Sequence, residues 1–338
     1  MSRSMDPSAG EPKDETLFRE YIGAQGQGIT FQDVLGYYEE FNGKGVGKFD
    51  LILAFAIDYD KTTKQPTQGK FRAFWDETLL TPEAVAAFKR GRPNVRVMLS
   101  IGGATIYGDE GAQVKFTPAT HDLEWANKWI DNAVDSLGAL MHEYHLDGID
   151  IDYEVFEEVS EDTTQRFVHC ITGLLQRLKL KEEFKDKHIV TSIAPHYEPK
   201  AQANYQALWQ SCRADKLIDY VNFQFYSNDL NLSPNAGILQ PREYAETVYF
   251  KQMRNYPDAK VLASINTLNP IHNKRGLQAR DALRMAWRLH QEHKLPGIFF
   301  WSADSSFGDY RSQPEGEMFQ HEKEALRMVM SKRVHGCF

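Results

Sequence analysis

"LDGIDIDYEVF", residues 146–156, sets Asp147, Asp150, Asp152 and Glu154 among Ile149, Ile151 and Tyr153. Apolar residues at every second position predict a strand buried on one face. Side chains alternate along a strand, so Gly148, Asp150, Asp152 and Glu154 share the opposite face. Same-face neighbours stand about 6.5–7 Å apart, which makes a ladder: Asp150 deepest, Asp152 between, Glu154 at the C-terminal end. Where such a ladder can exist depends on the rest of the chain.

Seven further runs of apolar, β-branched or aromatic residues surround it: 18–23, 49–57, 95–103, 188–195, 219–226, 260–266 and 295–301. Helix-like segments fill the gaps at 31–40, 82–90, 122–144, 161–184, 199–212, 241–254, 277–293 and 317–332. In "TPEAVAAFKR", Thr81 suits an N-cap, Pro82 the first helical position and Glu83 the first turn. Parallel strands need helical crossovers, so alternating strands and helices predict an α/β fold with a parallel sheet. Eight strand–helix pairs predict a single (β/α)8 TIM barrel over residues 17–332. A doubly wound open sheet competes, but no Gly-rich phosphate fingerprint follows the first strand. Residues 1–16 are polar and read as a disordered tail, and 333–338 as a C-terminal tail.

In a barrel the acidic face of 146–154 lines the lumen, and Glu154 reaches the rim where such folds build active sites. Three stacked acids in a confined lumen cannot all ionise cheaply, so at least one is expected to hold a proton near neutral pH. A protonated Glu at the mouth is a general acid. Helix capping accounts for Glu157, Glu158 and Glu161 but not for acids on the inward face. A calcium loop fails because Gly148 directly follows Asp147. Ser100, Gly102 and Gly103 end the third run, where paired glycines permit a tight turn and close approach to a neighbouring strand or ligand. Asn222, Gln224 and Tyr226 share a face opposite Val221, Phe223 and Phe225, with Tyr226 level with Glu154. Trp301, ending the last run, reads equally as a core lid or as a platform for a sugar ring. Trp75 and Phe74, in the long stretch 58–80, are candidates for sugar contact but more often such residues pack.

Composition excludes other classes. The chain has 338 residues and a net charge of -8, with no dense Lys/Arg cluster, so no nucleic-acid partner is expected. The longest strongly apolar run, "LILAFAI" (51–57), is too short to span a membrane. The polar start resembles no signal peptide, and Cys170, Cys212 and Cys337 are few and scattered. A cytoplasmic protein is the expectation, or a secreted or vacuolar one if a leader has been removed. "HEYH" (142–145) has the wrong spacing for a zincin, so no metal and no cofactor is expected. "NLS" (231–233) matches a glycosylation acceptor, and "NKRGLQAR" reads as a solvated helix start.

With these residues in view, the chain resembles glycoside hydrolase family 18. "DGIDIDYE" is similar to the family's Asp-x-x-Asp-x-Asp-x-Glu run on strand four, and "SIGG" to its strand-three run. "FREYIG" and "LPGIFFW" bring it nearer the plant class III chitinases and the narbonin type. The resemblance implies Glu154 as proton donor, Asp152 as the residue orienting the substrate's N-acetyl group, and Asp150 as its proton-sharing inner partner. It implies Tyr226 as hydrogen-bond donor to the acetamido carbonyl and Trp301 as the floor under the cleaved sugar. Gln224, Ser100, Gly102 and Gly103 complete the substrate-binding candidates. Lacking a second rim carboxylate in the motif, the chain is expected to use the substrate's own acetamido oxygen as nucleophile, with retention. Many family members insert an α+β domain after strand seven. The short stretch 267–275 leaves no room for one, which implies an open cleft and endo cleavage. The expected substrate is a β-1,4-linked N-acetylglucosamine polymer, acted on by a monomer. Core chitobiose of N-glycans is a related possibility, and an inactive carbohydrate-binding or storage protein is the alternative from another class.

Overall fold

The eight apolar runs become the staves of a parallel barrel, β1 (Thr16–Ile22), β2 (Val46–Ile57), β4 (Val95–Gly102), β5 (Gly148–Asp152), β6 (Val190–Ile193), β7 (Tyr220–Val221), β8 (Lys260–Val261) with β9 (Ala263–Asn266), and β10 (Gly297–Trp301), while a two-residue strand β3 (Arg72–Ala73) lies between β2 and β4 in the chain. The computed structural model describes residues 16–41, 46–103, 114–156, 160–226, 241–268, 277–312 and 317–330. The expected tails, apart from Thr16, and the triplet 231–233 lie outside the described residues. Pairing runs β8-β7-β6-β5-β4-β2-β1-β10-β9, with β3 attached antiparallel to β2 outside the ring. β8 and β9 are one stave interrupted at Leu262, whose amide still donates to the Val221 carbonyl at 2.9 Å, so the ring closes there. The peptide bonds Ala54–Phe55 and Trp301–Ser302 are cis.

Helices cover the staves: α1 (Phe31–Phe41), α2 (Pro82–Lys89), α3 (Leu123–Glu143), α4 (Glu161–Leu180), α5 (Pro199–Cys212), α6 (Pro241–Asn255), α7 (Ala279–Gln291), α8 (Ala303–Ser312) and α9 (Gln320–Met330). Thr81 caps α2 as expected, accepting from the Ala84 amide at 3.1 Å. Ser160 and Thr163 cap α4 reciprocally. Two expectations need correction, and one helix is additional to those expected. The helix 161–184 stops at Leu180 because Lys181 turns extended, and Glu182–Phe184 forms a separate 3-10 turn. α8, "ADSSFGDYRS", was not foreseen, since it has too few apolar residues to show a period. Of the run 219–226 only Tyr220–Val221 pairs as a strand, although the Asn222 and Gln224 amides still donate to the Ile193 and Pro195 carbonyls.

Between staves and helices lies an aromatic layer. Phe18 stacks on Phe49 and Phe300 at 5.0 and 5.1 Å, and Tyr37 meets Phe49 and Phe319. Each such buried ring contributes about 1.5–3 kcal/mol. Cys170 and Cys212 are buried free thiols there. Trp75 is also buried in this shell, edge-on to Tyr144 at 5.4 Å, so it packs and does not face the lumen.

Two buried polar groups frame the barrel. At the base of the lumen Asp50 accepts from the Arg19 guanidinium at 2.7 and 3.0 Å and from Arg96 at 2.7 and 2.9 Å. Arg19 also lies over the Tyr220 ring and donates to the Asn222 amide oxygen at 3.3 Å. Behind β1, Glu20 points outward and faces Glu322 of α9. Tyr37 donates to Glu20, and Ser306 donates to Glu322. Among the described residues Glu20 Oε1 and Glu322 Oε2 have no other hydrogen-bond partner, and a proton on Glu20 donated to Glu322 would satisfy both. Burial and the neighbouring carboxyl drive Glu20 well above the usual range, and burial lifts Glu322 to about 6.

Candidate active site

Alternation places the three acids as the sequence led us to expect, from the middle of the lumen to its mouth. Asp150 is fully buried and accepts four hydrogen bonds. Tyr21 and Ser100 hydroxyls bind Oδ2 at 2.8 Å each, while Ser192 and Asn222 bind Oδ1 at 2.6 and 3.0 Å. That fills the acceptor sites of a carboxylate. Asp150 thus engages Tyr21, Ser100, Ser192 and Asn222 and not Asp152, its expected proton-sharing partner. Through Asn222 it is tied to Arg19 and the ion layer below.

One step higher, Asp152 is buried and Glu154 is partly exposed at the rim. The Gln224 side-chain amide bridges them, donating to Asp152 Oδ1 at 3.0 Å and Glu154 Oε1 at 3.1 Å. Burial, then the charges of Glu154 and Asp150, push Asp152 well above the ordinary range. Burial lifts Glu154 to about 7; the Gln224 bond opposes this, and the Glu198 charge adds to it. A carboxyl at the mouth that releases its proton near neutrality is matched to general-acid work.

Tyr226 joins the same mouth. Its ring meets the lumen-facing Phe299 at 6.2 Å, and burial together with Asp152, Glu154 and Asp150 pushes its phenol up. It therefore stays a neutral O–H donor. Trp301 is half-buried between Tyr21, edge-on at 5.4 Å, and Phe55, stacked at 5.9 Å. Part of the indole is left open at the rim.

Ser100, Gly102 and Gly103 build the site from behind. Ser100 is spent on Asp150. Gly102 has φ +103°, and a Cβ there would stand 2.7 Å from the Asp152 carbonyl oxygen. Gly103 has φ +82°, a Cβ would meet the Phe55 ring at 2.7 Å, and its amide donates to the Asp152 carbonyl at 2.8 Å. Asp147 is no part of the ladder. It accepts from Lys89 Nζ at 2.7 Å and from the Val97 amide at 2.8 Å, fastening β5 to α2 and β4. Among the described residues no group of His, Cys, Asp and Glu forms a metal-binding cluster.

Sequence reasoning missed Tyr21, Ser192 and Glu198. Tyr21 and Ser192 were within reach, since they take the inward positions of their staves under the same alternation rule. Glu198, on the loop after β6, carried no signal.

The sequence model described as "Glycosyl hydrolases family 18" matches residues 33–268. The chain is 38% identical over 317 residues to Chitinase 1 of Tulipa saxatilis subsp. bakeri, covering 93% of this chain and 87% of that one. Among solved structures, the catalytic domain of a family GH18 chitinase from the fern Peteris ryukyuensis superposes with TM-score 0.74 at 38% identity, covering 94% of this chain and all of that one. A family 18 chitinase from Crocus vernus gives 0.73 at 30% identity, with 94% and 100% covered.

Proposed function

Since the chain belongs to glycoside hydrolase family 18, we propose that it cleaves β-1,4-linked N-acetylglucosamine polymers internally, with Glu154 as the proton donor. The observation that carries this reading is the intact pair at the rim: Glu154, lifted to about 7, joined to Asp152 by the Gln224 amide. The chitinase names of the tulip, fern and crocus relatives support the substrate class.

In this mechanism Glu154 protonates the leaving glycosidic oxygen. The acetamido oxygen of the sugar attacks C1 as the bond to the leaving group breaks, giving a cyclic oxazolinium ion. Asp152 steadies the acetamido N–H and the positive charge that grows on that group, while the Tyr226 hydroxyl donates to the acetamido oxygen. Water, deprotonated by the Glu154 carboxylate, then opens the ring and returns the β-configuration. Glu198 contributes charge near Glu154 but sits exposed on a loop. A nucleophile in a double displacement is instead held close under the anomeric carbon.

The test is digestion of chitin tetramer and hexamer followed by mass spectrometry and anomer-resolved chromatography. Internal fragments with β-anomeric reducing ends are expected, and Glu154→Gln should abolish them while the protein remains folded. Oligosaccharide binding without turnover would instead identify a chitinase-like binding protein. Unchanged turnover in Glu154→Gln would exclude the mechanism.

A further inference from the structure

β5 leaves the hydrogen-bonded ladder at Asp152, so Glu154 is carried by backbone that has lost its strand neighbour on the β6 side. The last ladder-like bond there is from the Ala194 amide to the Ile151 carbonyl at 2.8 Å. Beyond it the hydroxyl of Tyr205, on α5, lies 3.1 Å from the Ile151 carbonyl and 3.0 Å from the Tyr153 carbonyl. One phenol thus stands where the next strand amide would be.

The side chain of Tyr153 is held as well. It points away from the lumen and donates to Asp58 Oδ1 at 3.3 Å, just past the end of β2. The other oxygen of Asp58 accepts from the Trp129 indole of α3 at 2.7 Å. Residue 155 is held in turn, because its carbonyl accepts from the Phe116 amide at 3.2 Å while the Phe116 ring packs edge-on against Tyr153 at 5.1 Å. Residues 153 and 155 are thus fixed from the helical side, and Glu154 between them is left to face the mouth. Tyr205, Tyr153 and Asp58 are all buried and none lines the lumen.

We propose that Tyr205, Tyr153 and Asp58 form an outer brace, a set of positioning residues that act through the backbone to aim Glu154 at the glycosidic oxygen. This rests on the proposed reaction, in which Glu154 must meet an atom of the substrate to within a fraction of an ångström. A general acid displaced by about 1 Å loses on the order of 100-fold in rate even when the substrate still binds. A carboxyl no longer pinned in its dry position also gains water, and its raised affinity for a proton relaxes toward the ordinary value.

The experiment compares the parent protein with Tyr205→Phe and Tyr153→Phe, each lacking one hydroxyl, on chitin tetramer across pH. For Tyr205→Phe kcat should fall 10- to 100-fold with KM within about twofold, and the alkaline limb of kcat/KM should move to lower pH. Tyr153→Phe should follow in the same direction with a smaller loss, and the double variant Tyr153→Phe/Asp58→Asn should be no worse than the more impaired of its single variants. Circular dichroism and thermal melting, run alongside, establish that each is folded at the assay temperature. If Tyr205→Phe does not fold, Tyr153→Phe alone decides. A folded variant with unchanged kcat, or a loss confined to KM with the pH limb unmoved, overturns the brace. No turnover by the parent defeats the assigned reaction and the brace with it; an active parent beside unaltered variants defeats the brace alone.

Discussion

Gln224→Met removes the amide that Asp152 and Glu154 share and leaves a side chain of similar length. The amide N–H groups stabilise the charged form of each carboxyl, at 3.0 and 3.1 Å. Their loss therefore favours the protonated form. A hydrogen bond to a charged group is worth about 1.5–3 kcal/mol, and divided between two acceptors the lower figure applies to each. Since 1.36 kcal/mol corresponds to one pKa unit, Glu154 should rise by about one unit from its position near 7. The alkaline limb of kcat/KM, which reports loss of the general acid's proton, should move from about pH 7 to about pH 8. That limb belongs to the Asp152–Glu154 pair acting together, so the whole limb is fitted and not a single site. The turnover number at the optimum should fall as well, because Asp152 loses its tether. Initial rates on chitin tetramer from pH 4 to 9.5 provide the measurement. A limb that stays in place, or moves to lower pH, would refute the reasoning that the Gln224 amide favours the charged form of both carboxyls against the burial that raises them.

Glu198→Gln should act in the opposite direction: the Glu198 charge raises Glu154, so its removal should shift the same limb to lower pH, and an upward shift would contradict the placement of that charge. Gly102→Ala places a Cβ 2.7 Å from the Asp152 carbonyl oxygen at φ +103°, so the motif strand must move. The backbone conformation alone costs about 1–3 kcal/mol, and both a lower melting temperature and a large loss of turnover are expected; wild-type values for both would show that the strand yields freely. Stability should decline as pH rises. Asp58 and Glu322, both lifted to about 6 by burial, bind protons more tightly folded than unfolded, so their contribution is complete below the unfolded values near 4 and is lost as pH passes 6. Each accounts for roughly 2–3 kcal/mol, and the melting temperature should fall between about pH 4 and pH 7. Glu322→Gln should flatten that slope, and a midpoint independent of pH in the parent would rule out the shared proton.

The alternation in "LDGIDIDYE" was enough to orient β5, and eight similar runs were enough to close a barrel, because each run is one strand long and bounded by turn residues. The order of the acids from middle to mouth followed from geometry alone. What escaped was whatever another element supplies. Tyr205 reaches the backbone of 151–153 from α5, and Asp58, itself held by Trp129 of α3, meets Tyr153 from just past the end of β2, at sequence separations no local pattern encodes. Glu20 was opaque for a different reason. β1 is buried on both faces and polar on both, with Arg19 and Tyr21 inward and Glu20 outward, so no alternation of polarity marks which side is which. α8 was missed because it lacks a stripe, and its place is set by Asp304, which accepts from the Gly23 and Gln25 amides.

The Arg19–Asp50–Arg96 layer locks β1, β2 and β4 together at the floor of the lumen, at the end of the barrel away from the rim where Glu154 sits. Architecture and reactivity are thereby assigned to opposite ends of one cylinder. Under the proposed mechanism a single codon change at Glu154 would remove the proton donor and leave that ionic floor untouched, so loss of turnover need not bring loss of the vessel.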